Sequence, residues 1–261
     1  MSEEHILIDR DDKNIVMITV NRPEKLNTLT KTMWGRLGDI FRELSDDDTV
    51  RCIMMTGAGG KSFSPGNDIS EFEADRSSTA KAAEYGELMG RNIKAMRDCP
   101  HPSVAAIRGI CVGGGMELAG LCDVRICSKK SRFGVPISKL GLVMGYHEID
   151  ALRSLVGAGP TLEILLEGRV FDAEEAQRLG IVSRIVADDD VMTEARNAAE
   201  RIAAGAPLVH RWHRKFLKRL QDPTPLSAEE LAESYACFDT EDFQTGYRAF
   251  LEKKTPEFKG R

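Results

Sequence analysis

Short apolar segments that alternate with helix-forming segments constrain this chain more than any other feature of its sequence. Residues 51–56, 103–107 and 123–127 have the length and composition of strands, and residues 80–96 between the first two form a predicted helix. Parallel strands need a crossover connection, which is usually a helix. This order therefore predicts parallel strands covered by helices, the α/β class.

The strand signals stop about two-thirds of the way along the chain. Residues 5–9 and 14–20 form a predicted hairpin, and Thr30 is the predicted N-cap of a helix that runs to about residue 44. Further segments are predicted as a helix over 114–120, helices over 146–155 and 161–167, and a strand over 181–186. After about residue 189 only helices are predicted, over 191–204, 208–220, 228–237 and 241–253. We therefore divide the chain into an α/β core, 1–190, and a C-terminal helical region, 191–261.

Composition excludes several classes of protein. The 261 residues are 42% hydrophobic and 30% charged with a formal net charge of -5, which disfavours a nucleic-acid partner. Six cysteines lack CxxC spacing, and the polar N-terminal residues lack a secretory pattern, so reduced thiols and a cytoplasmic location are expected. No apolar run approaches the ~20 residues of a membrane span. His210 and His213 have HxxH spacing without a third ligand, so no metal is expected.

Three adjacent glycines, Gly113-Gly114-Gly115, lie between an apolar segment and a helix-forming run. The first N–H groups of a helix have no intrahelical partner, and glycine leaves them uncovered. Such a helix start suits a phosphate or a developing oxyanion. A tight turn that needs glycine only for packing explains the same residues equally well. A second turn, Pro65-Gly66, follows a buried segment and is either an ordinary loop or one that leaves an N–H pointing outward.

Six segments carry motifs in a consistent order along nearly the whole chain. They are NRPEKLNTL from Asn21, GAGGKSFSPGNDI from Gly57, PSVAAIRGICVGGGMELAGLCDVRI from Pro102, FGVPISKLGL from Phe133, GRVFDAEEAQRLGIVSRIV from Gly168, and the terminal FLEKKTPEF. In order and spacing they resemble the crotonase superfamily, the enoyl-CoA hydratase/isomerase family.

The resemblance implies a crotonase-like spiral of ββα units and a C-terminal helical region that mediates trimerisation, often as a dimer of trimers. It implies an acyl-CoA thioester as ligand, with coenzyme A as part of the substrate and no separate cofactor. The family's two oxyanion donors correspond to the backbone N–H groups of Asn67 and Gly114, and one of its two catalytic glutamates corresponds to Glu117. The implied substrate-binding set is Lys25, Leu26, Ser64, Gly66, Asn67, Asp68, Ile69, Gly113, Gly114, Ile137 and Lys253.

The chain departs from the family pattern at the second glutamate. That residue usually follows the proline of an FGxPE motif, and here the position is Ile137, which can neither donate nor accept a proton. Three titratable residues, His147, Glu148 and Asp150, occur where the family is usually small and neutral. One of them can supply the missing group, or all three can serve only the start of the helix predicted over 146–155.

The expected activity is of the enoyl-CoA hydratase type, with three alternatives. Double-bond isomerisation and decarboxylation of an acyl-CoA are two of them, and decarboxylation needs less acid–base machinery than hydration, which suits a site with one glutamate. A catalytically silent acyl-CoA-binding protein is the remaining alternative.

Overall fold

The structure is a computed structural model that describes residues 5–261. Residues 1–4, whose polar character entered the expectation about location, lie outside the described residues. The strands are β1 Ile6–Arg10, β2 Ile15–Val20, β3 Cys52–Gly57, β4 Ser62–Ser64, β5 Ser103–Ile107, β6 Ile110–Val112, β7 Val124–Ser128, β8 Arg132–Gly134, β9 Val170–Asp172 and β10 Arg184–Val186.

The helices cover the two faces of the sheet and make up the C-terminal region. They are α1 Lys31–Ser45, α2 Phe72–Asp75, α3 Thr79–Asp98, α4 Gly114–Gly120, α5 Tyr146–Val156, α6 Ala158–Glu167, α7 Ala173–Arg178, α8 Val191–Ala203, α9 Pro207–Arg219, α10 Ala228–Glu233 and α11 Glu241–Glu252. Within residues 5–261, no helix combines the length and apolar character needed to cross a membrane.

The strands form two separate sheets. The larger has six strands in the order β1-β2-β3-β5-β7-β10, parallel except for the hairpin of β1 and β2. The smaller has four strands in the order β4-β6-β8-β9. The consecutive pairs β3–β4, β5–β6 and β7–β8 each send one strand to each sheet before helical segments follow. This repetition is the predicted spiral of ββα units, and the α/β prediction is confirmed.

Both faces of the large sheet are buried at its central strands β3 and β5, which explains why these two strands are largely apolar without alternation. In β3, Ile53 and Met55 belong to the cluster beneath α1 and α3, whereas Cys52 and Met54 face the opposite cluster. Helix α8 covers that second face with Val191 and three alanines. The predicted boundary between 190 and 191 stays a prediction, and the helix that follows it packs on the core.

The small sheet was not predicted, because its strands have three residues each and cannot show a period of two. Two predicted elements also differ from the structure. The last strand begins at Arg184 rather than 181, since Ile181 and Val182 are buried in the connection after α7. The helix predicted over 228–237 ends at Glu233, and a separate 3-10 turn, Ala236–Asp239, follows it.

Candidate active site

The first turn of α4 forms one wall of the site. Gly113 has φ 54° and ψ −128°, a conformation that residues with a side chain rarely adopt. Its carbonyl accepts the N–H groups of Met116 at 3.0 Å and Glu117 at 3.2 Å. The N–H of Gly114 donates to no acceptor among residues 5–261. The glycine run therefore leaves a free N–H at the start of this helix.

The loop after β4 forms the facing wall. Gly66 has φ 92°, and a Cβ there would lie 2.5 Å from the amide nitrogen of Gly114. Leu29 donates its N–H to the Gly66 carbonyl at 2.8 Å, and Asp68 donates to the Leu29 carbonyl at 2.9 Å. The intervening Asn67 N–H has no acceptor within the described chain. The structure therefore brings the two predicted oxyanion donors together, and their catalytic role stays a prediction.

Two aromatic side chains hold the side chain of Asn67. Its Oδ1 accepts the indole N–H of Trp34 at 2.6 Å and the hydroxyl of Tyr85 at 3.0 Å. Trp34 lies on α1 and is fully buried, and Tyr85 lies on α3 and is 6% exposed. Burial raises the pKa of Tyr85 to about 12, so the hydroxyl remains a donor at neutral pH. Helices α1 and α3 thus fix the loop that carries the Asn67 N–H.

Glu117 lies one turn after Gly114, at 7% exposure. Its Oε1 has no hydrogen-bond partner among the described residues. Burial raises the pKa of Glu117 well above its ordinary value of 4.5, the charge of Glu148 raises it further, and Arg76 lowers it. A cavity of about 10 Å³ adjoins it, lined by apolar residues that include Met144 and Leu152. The cavity has room for roughly one water molecule.

The three residues that were candidates for the missing acid or base have different surroundings. Asp150 accepts hydrogen bonds from Arg97 and Arg153, each at 2.8 Å, and these ion pairs keep its pKa below the ordinary value. His147 is exposed and packs its ring on Gly90 of α3. Glu148 is half-buried, accepts the Gly145 N–H, and raises the pKa values of both Glu117 and Tyr85. Of the three, Glu148 alone has a charge that acts on Glu117.

Arg76 is a charged group that the sequence analysis did not select. Its Cζ lies 3.6 Å from the ring centroid of Tyr85 and 4.6 Å from that of Phe72. Its Nε and Nη2 are buried without a hydrogen-bond partner among residues 5–261. A cation thus lies on the ring whose hydroxyl holds Asn67.

The predicted substrate-binding residues near the loop divide by exposure. Ile69 is 56% exposed, whereas Ser64 is fully buried and accepts the Gly66 N–H at 3.0 Å while donating to the Asn27 carbonyl. Ser64 therefore supports the turn in this structure, and its contact with a ligand stays a prediction. Asp68 pairs with Arg22 at 2.6 Å, and hydrogen bonds from Ser70 and Arg22 lower its pKa to about 2.

The remaining predicted residues lie further from the two N–H groups. Ile137 lies on the 3-10 segment Pro136–Leu140 and packs, half-buried, against the core. Lys25 and Leu26 are exposed at the end of a short 3-10 turn. Lys253 ends α11, and within the described protomer no hydrogen bond or ion pair connects it to the site. Its contact with a phosphate stays a prediction that involves a neighbouring subunit.

Residues 5–261 contain no cluster of three or more histidine, cysteine or acidic side chains that could hold a metal ion. Five of the six cysteines are buried thiols and Cys237 is half-buried.

Trp34, Tyr85 and Arg76 are the site residues that sequence reasoning missed. A buried tryptophan or tyrosine usually finds a partner for its polar atom, which is a weak signal for the first two. Nothing local to the sequence identifies Asn67 as that partner, and no pattern identifies Arg76.

Comparison with known proteins gives consistent results over the whole chain. The family model for enoyl-CoA hydratase/isomerase matches residues 10–261. The chain is 36% identical over 264 residues to a probable enoyl-CoA hydratase from Mycobacterium tuberculosis, covering 100% of both. It is 31% identical over 264 residues to the short-chain-enoyl-CoA hydratase of Clostridium acetobutylicum, with the same coverage. The crystal structure of an enoyl-CoA hydratase/carnithine racemase from Magnetospirillum magneticum superposes with a TM-score of 0.96 at 44% identity, covering 100% of this chain and 97% of that one.

Proposed function

Since this chain belongs to the enoyl-CoA hydratase/isomerase family, we propose that it adds water to the double bond of an enoyl-CoA thioester. The observation that carries the proposal is the combination of a buried carboxyl group, one oxygen of which has no partner among residues 5–261, with two free backbone N–H groups. Glu117 supplies the carboxyl, and Asn67 and Gly114 supply the N–H groups. An unsatisfied buried acid is costly for stability, and a perturbed pKa in such a place indicates function.

The oxyanion donors act on the thioester oxygen. When the oxygen of water bonds to C3, the π electron pair of the C2–C3 bond moves to C2 and spreads onto the thioester oxygen as an enolate. The N–H groups of Asn67 and Gly114 stabilise that negative charge. Losing one such donor costs about 2.7–4 kcal/mol of transition-state stabilisation. Backbone donors are held by the fold itself, which keeps them oriented before the charge develops.

Two carboxyl groups complete the proton balance. The attacking water gives one proton to a carboxylate, and a carboxylic acid gives one proton to C2, so that one water is added in total. We assign the donor to Glu117, because burial raises its pKa and retains its proton. We assign the acceptor to Glu148, which takes the role that Ile137 cannot perform. The proton then returns from Glu148 to Glu117 before the next turnover.

A second candidate follows from Ile137. Isomerisation removes a proton from C2 and returns it at C4, and decarboxylation releases CO2 and then protonates the enolate. One carboxyl group can serve either reaction, and Glu117 would be that group.

The products formed from crotonyl-CoA, from 3-pentenoyl-CoA and from malonyl-CoA distinguish these reactions. Mass spectrometry of the thioester after incubation with the enzyme is expected to show the gain of one water with crotonyl-CoA. Conversion of 3-pentenoyl-CoA to its conjugated 2-enoyl isomer, followed by ultraviolet absorbance because the mass does not change, or loss of CO2 from malonyl-CoA, without hydration would favour the second candidate. If thioesters raise the unfolding temperature but none is converted, the silent acyl-CoA-binding alternative is correct.

The role of Glu148 has its own test. Glu148→Gln is expected to lower kcat for crotonyl-CoA by roughly 10²-fold, the lower end of the range for a general acid or base. Glu87→Gln, an exposed residue on α3, is the matched control for the loss of one carboxylate. A Glu148→Gln enzyme with the kcat of the control would remove Glu148 from the mechanism.

We also propose that the chain assembles as a homotrimer or a dimer of trimers. Large apolar residues are exposed on or beside the C-terminal helices, among them Leu217, Tyr235, Phe250 and Leu251, with Phe250 at 84%. Exposed apolar surface of this extent marks an interaction site.

A further inference from the structure

Arg76 is half-buried beside the oxyanion loop, and two of its guanidinium nitrogens are buried without a hydrogen-bond partner among residues 5–261. Nε and Nη2, the two atoms without a partner, carry the N–H bonds that point in parallel along one edge of the guanidinium. That edge is the one that binds a carboxylate with two hydrogen bonds. Buried donors that stay unpaired are costly, so this edge is suited to a ligand.

No internal carboxylate neutralises Arg76. Within residues 5–261, no acidic side chain forms an ion pair with it. The acidic neighbours in sequence are engaged elsewhere, because Asp75 pairs with the Lys31 ammonium at 2.8 Å and Glu71 accepts the Lys31 N–H at 2.7 Å. Glu117 is influenced by the charge of Arg76 but keeps a raised pKa, which is inconsistent with a close salt bridge.

Arg76 lies near the proposed position of the acyl group of the substrate rather than near that of its nucleotide. Its guanidinium stacks on Tyr85, and the Tyr85 hydroxyl lies 3.0 Å from Asn67 Oδ1. Arg76 is therefore one side chain away from the loop whose N–H is proposed to hold the thioester oxygen. In the proposed reaction Glu117 acts at C2, next to the thioester carbonyl, and the charge of Arg76 lowers the pKa of that same carboxyl group.

We propose that Arg76 binds a carboxylate carried by the acyl group, so that the substrate is the coenzyme A monothioester of an unsaturated dicarboxylic acid. The proposal rests on the proposed function in one respect: it takes Asn67 and Gly114 as the site of the thioester oxygen. A neutral acyl chain would cover the guanidinium without pairing its donors, and sites of this kind discriminate strongly against such chains.

Binding of unreactive, saturated thioesters tests the proposal without any turnover. Isothermal titration calorimetry compares succinyl- with butyryl-CoA, glutaryl- with pentanoyl-CoA, and adipoyl- with hexanoyl-CoA. Each pair has the same number of acyl carbons and differs in the terminal carboxylate. At one chain length or more, the carboxylated member is expected to bind roughly 10- to 100-fold more tightly, as for a hydrogen-bonded charge pair.

Variants of Arg76 assign that preference to this residue. Arg76→Met is expected to abolish the ratio between carboxylated and neutral thioesters, and Arg76→Lys to keep part of it because the charge remains without the paired donors. Arg91→Met, an exposed arginine of α3, removes the same charge and is expected to keep the full ratio. Thermal unfolding identifies a variant that fails to fold, in which case Arg76→Lys alone is decisive.

The outcomes separate this inference from the proposed function. Equal binding of both members of every pair by the wild-type protein would overturn the inference, even if crotonyl-CoA is hydrated. A preference that persists in Arg76→Met at full size would also overturn it. A preference lost in Arg76→Met supports the inference, even if no thioester is hydrated.

Discussion

The buried carboxyl group of Glu117 lowers the stability of the fold, and the same group is proposed to transfer a proton in the reaction. Its carboxyl is buried in an apolar environment with Oε1 unpartnered among residues 5–261. Proteins rarely retain such a group unless the altered pKa serves a reaction. At the scale of the residue, the pKa of Glu117 is thus the property that connects the fold to the proposed hydration.

The raised pKa of Glu117 predicts a particular pH dependence of stability. Below the ordinary value of 4.5, folded and unfolded states both hold the proton, and the group has no effect. Above it the unfolded chain releases the proton while the folded protein retains it, so the folded state loses relative stability as pH rises toward the folded pKa. Glu117→Gln cannot titrate. The free energy of unfolding of Glu117→Gln in urea, minus that of the wild type, should therefore increase from about pH 5 to about pH 7.

The test uses the difference in unfolding free energy between the two proteins, because the contributions of the other titrating groups are common to both and cancel. A difference that stays constant over this pH range would mean that burial does not raise the pKa of Glu117.

At the scale of elements, the site depends on how closely the loop after β4 approaches the start of α4. Helices α1 and α3 hold the loop after β4 through the hydrogen bonds that Trp34 and Tyr85 donate to Asn67. The loop contacts the start of α4 at Gly66, where there is no room for a side chain. The two N–H groups are thus oriented by four elements that are far apart in sequence.

Gly66→Ala tests this approach. The added Cβ would lie 2.5 Å from the Gly114 nitrogen and must move one of the two walls. We expect kcat to fall by roughly 10²- to 10³-fold, the effect of losing one oxyanion donor. Gly180→Ala is the matched control, because Gly180 also has a positive φ, 82°, with nothing within 4 Å of the added Cβ. Equal kcat values for the two variants, each measured with crotonyl-CoA, would contradict the account of the contact.

The same elements show how far the sequence allowed prediction. Helix α4 was predicted with its observed bounds, because the glycine run and the helix-forming segment after it are both local signals. Trp34, Tyr85 and Arg76 lie on or beside three different helices, and which way they face depends on packing that no local pattern reveals. The ion pairs of Asp150 set that residue apart from the other two candidates, and the choice of Glu148 over His147 stays a proposal.

At the scale of the whole molecule, the core is complete but the C-terminal helices are not covered. The central strands of the large sheet are buried on both faces by α1, α3 and α8. In contrast, four large apolar residues on or near α9–α11 are each more than half exposed: Leu217, Tyr235, Phe250 and Leu251. A second copy of the chain is the partner that the proposed trimer supplies.

Sedimentation equilibrium tests the assembly. The wild-type protein is expected to have three or six times the chain mass of 28.9 kDa. Replacing both Phe250 and Leu251 by aspartate should lower that mass, because a charge buried in an interface is costly. The control replaces Leu7, exposed on the hairpin at 39%, by aspartate. A wild-type mass of 28.9 kDa, or a double variant that keeps the wild-type mass, would contradict the proposed interface.

The central claim is that Glu117 moves a proton in a site whose oxygen-binding donors do not depend on it. The direct measurement is the hydration of crotonyl-CoA by Glu117→Gln, with the dissociation constant of butyryl-CoA measured on the same preparation. We predict a loss of roughly 10²- to 10⁴-fold in kcat, as for removal of a general acid. Binding of butyryl-CoA should change little, because the N–H groups of Asn67 and Gly114 remain. Hydration by Glu117→Gln at the wild-type rate would contradict the claim.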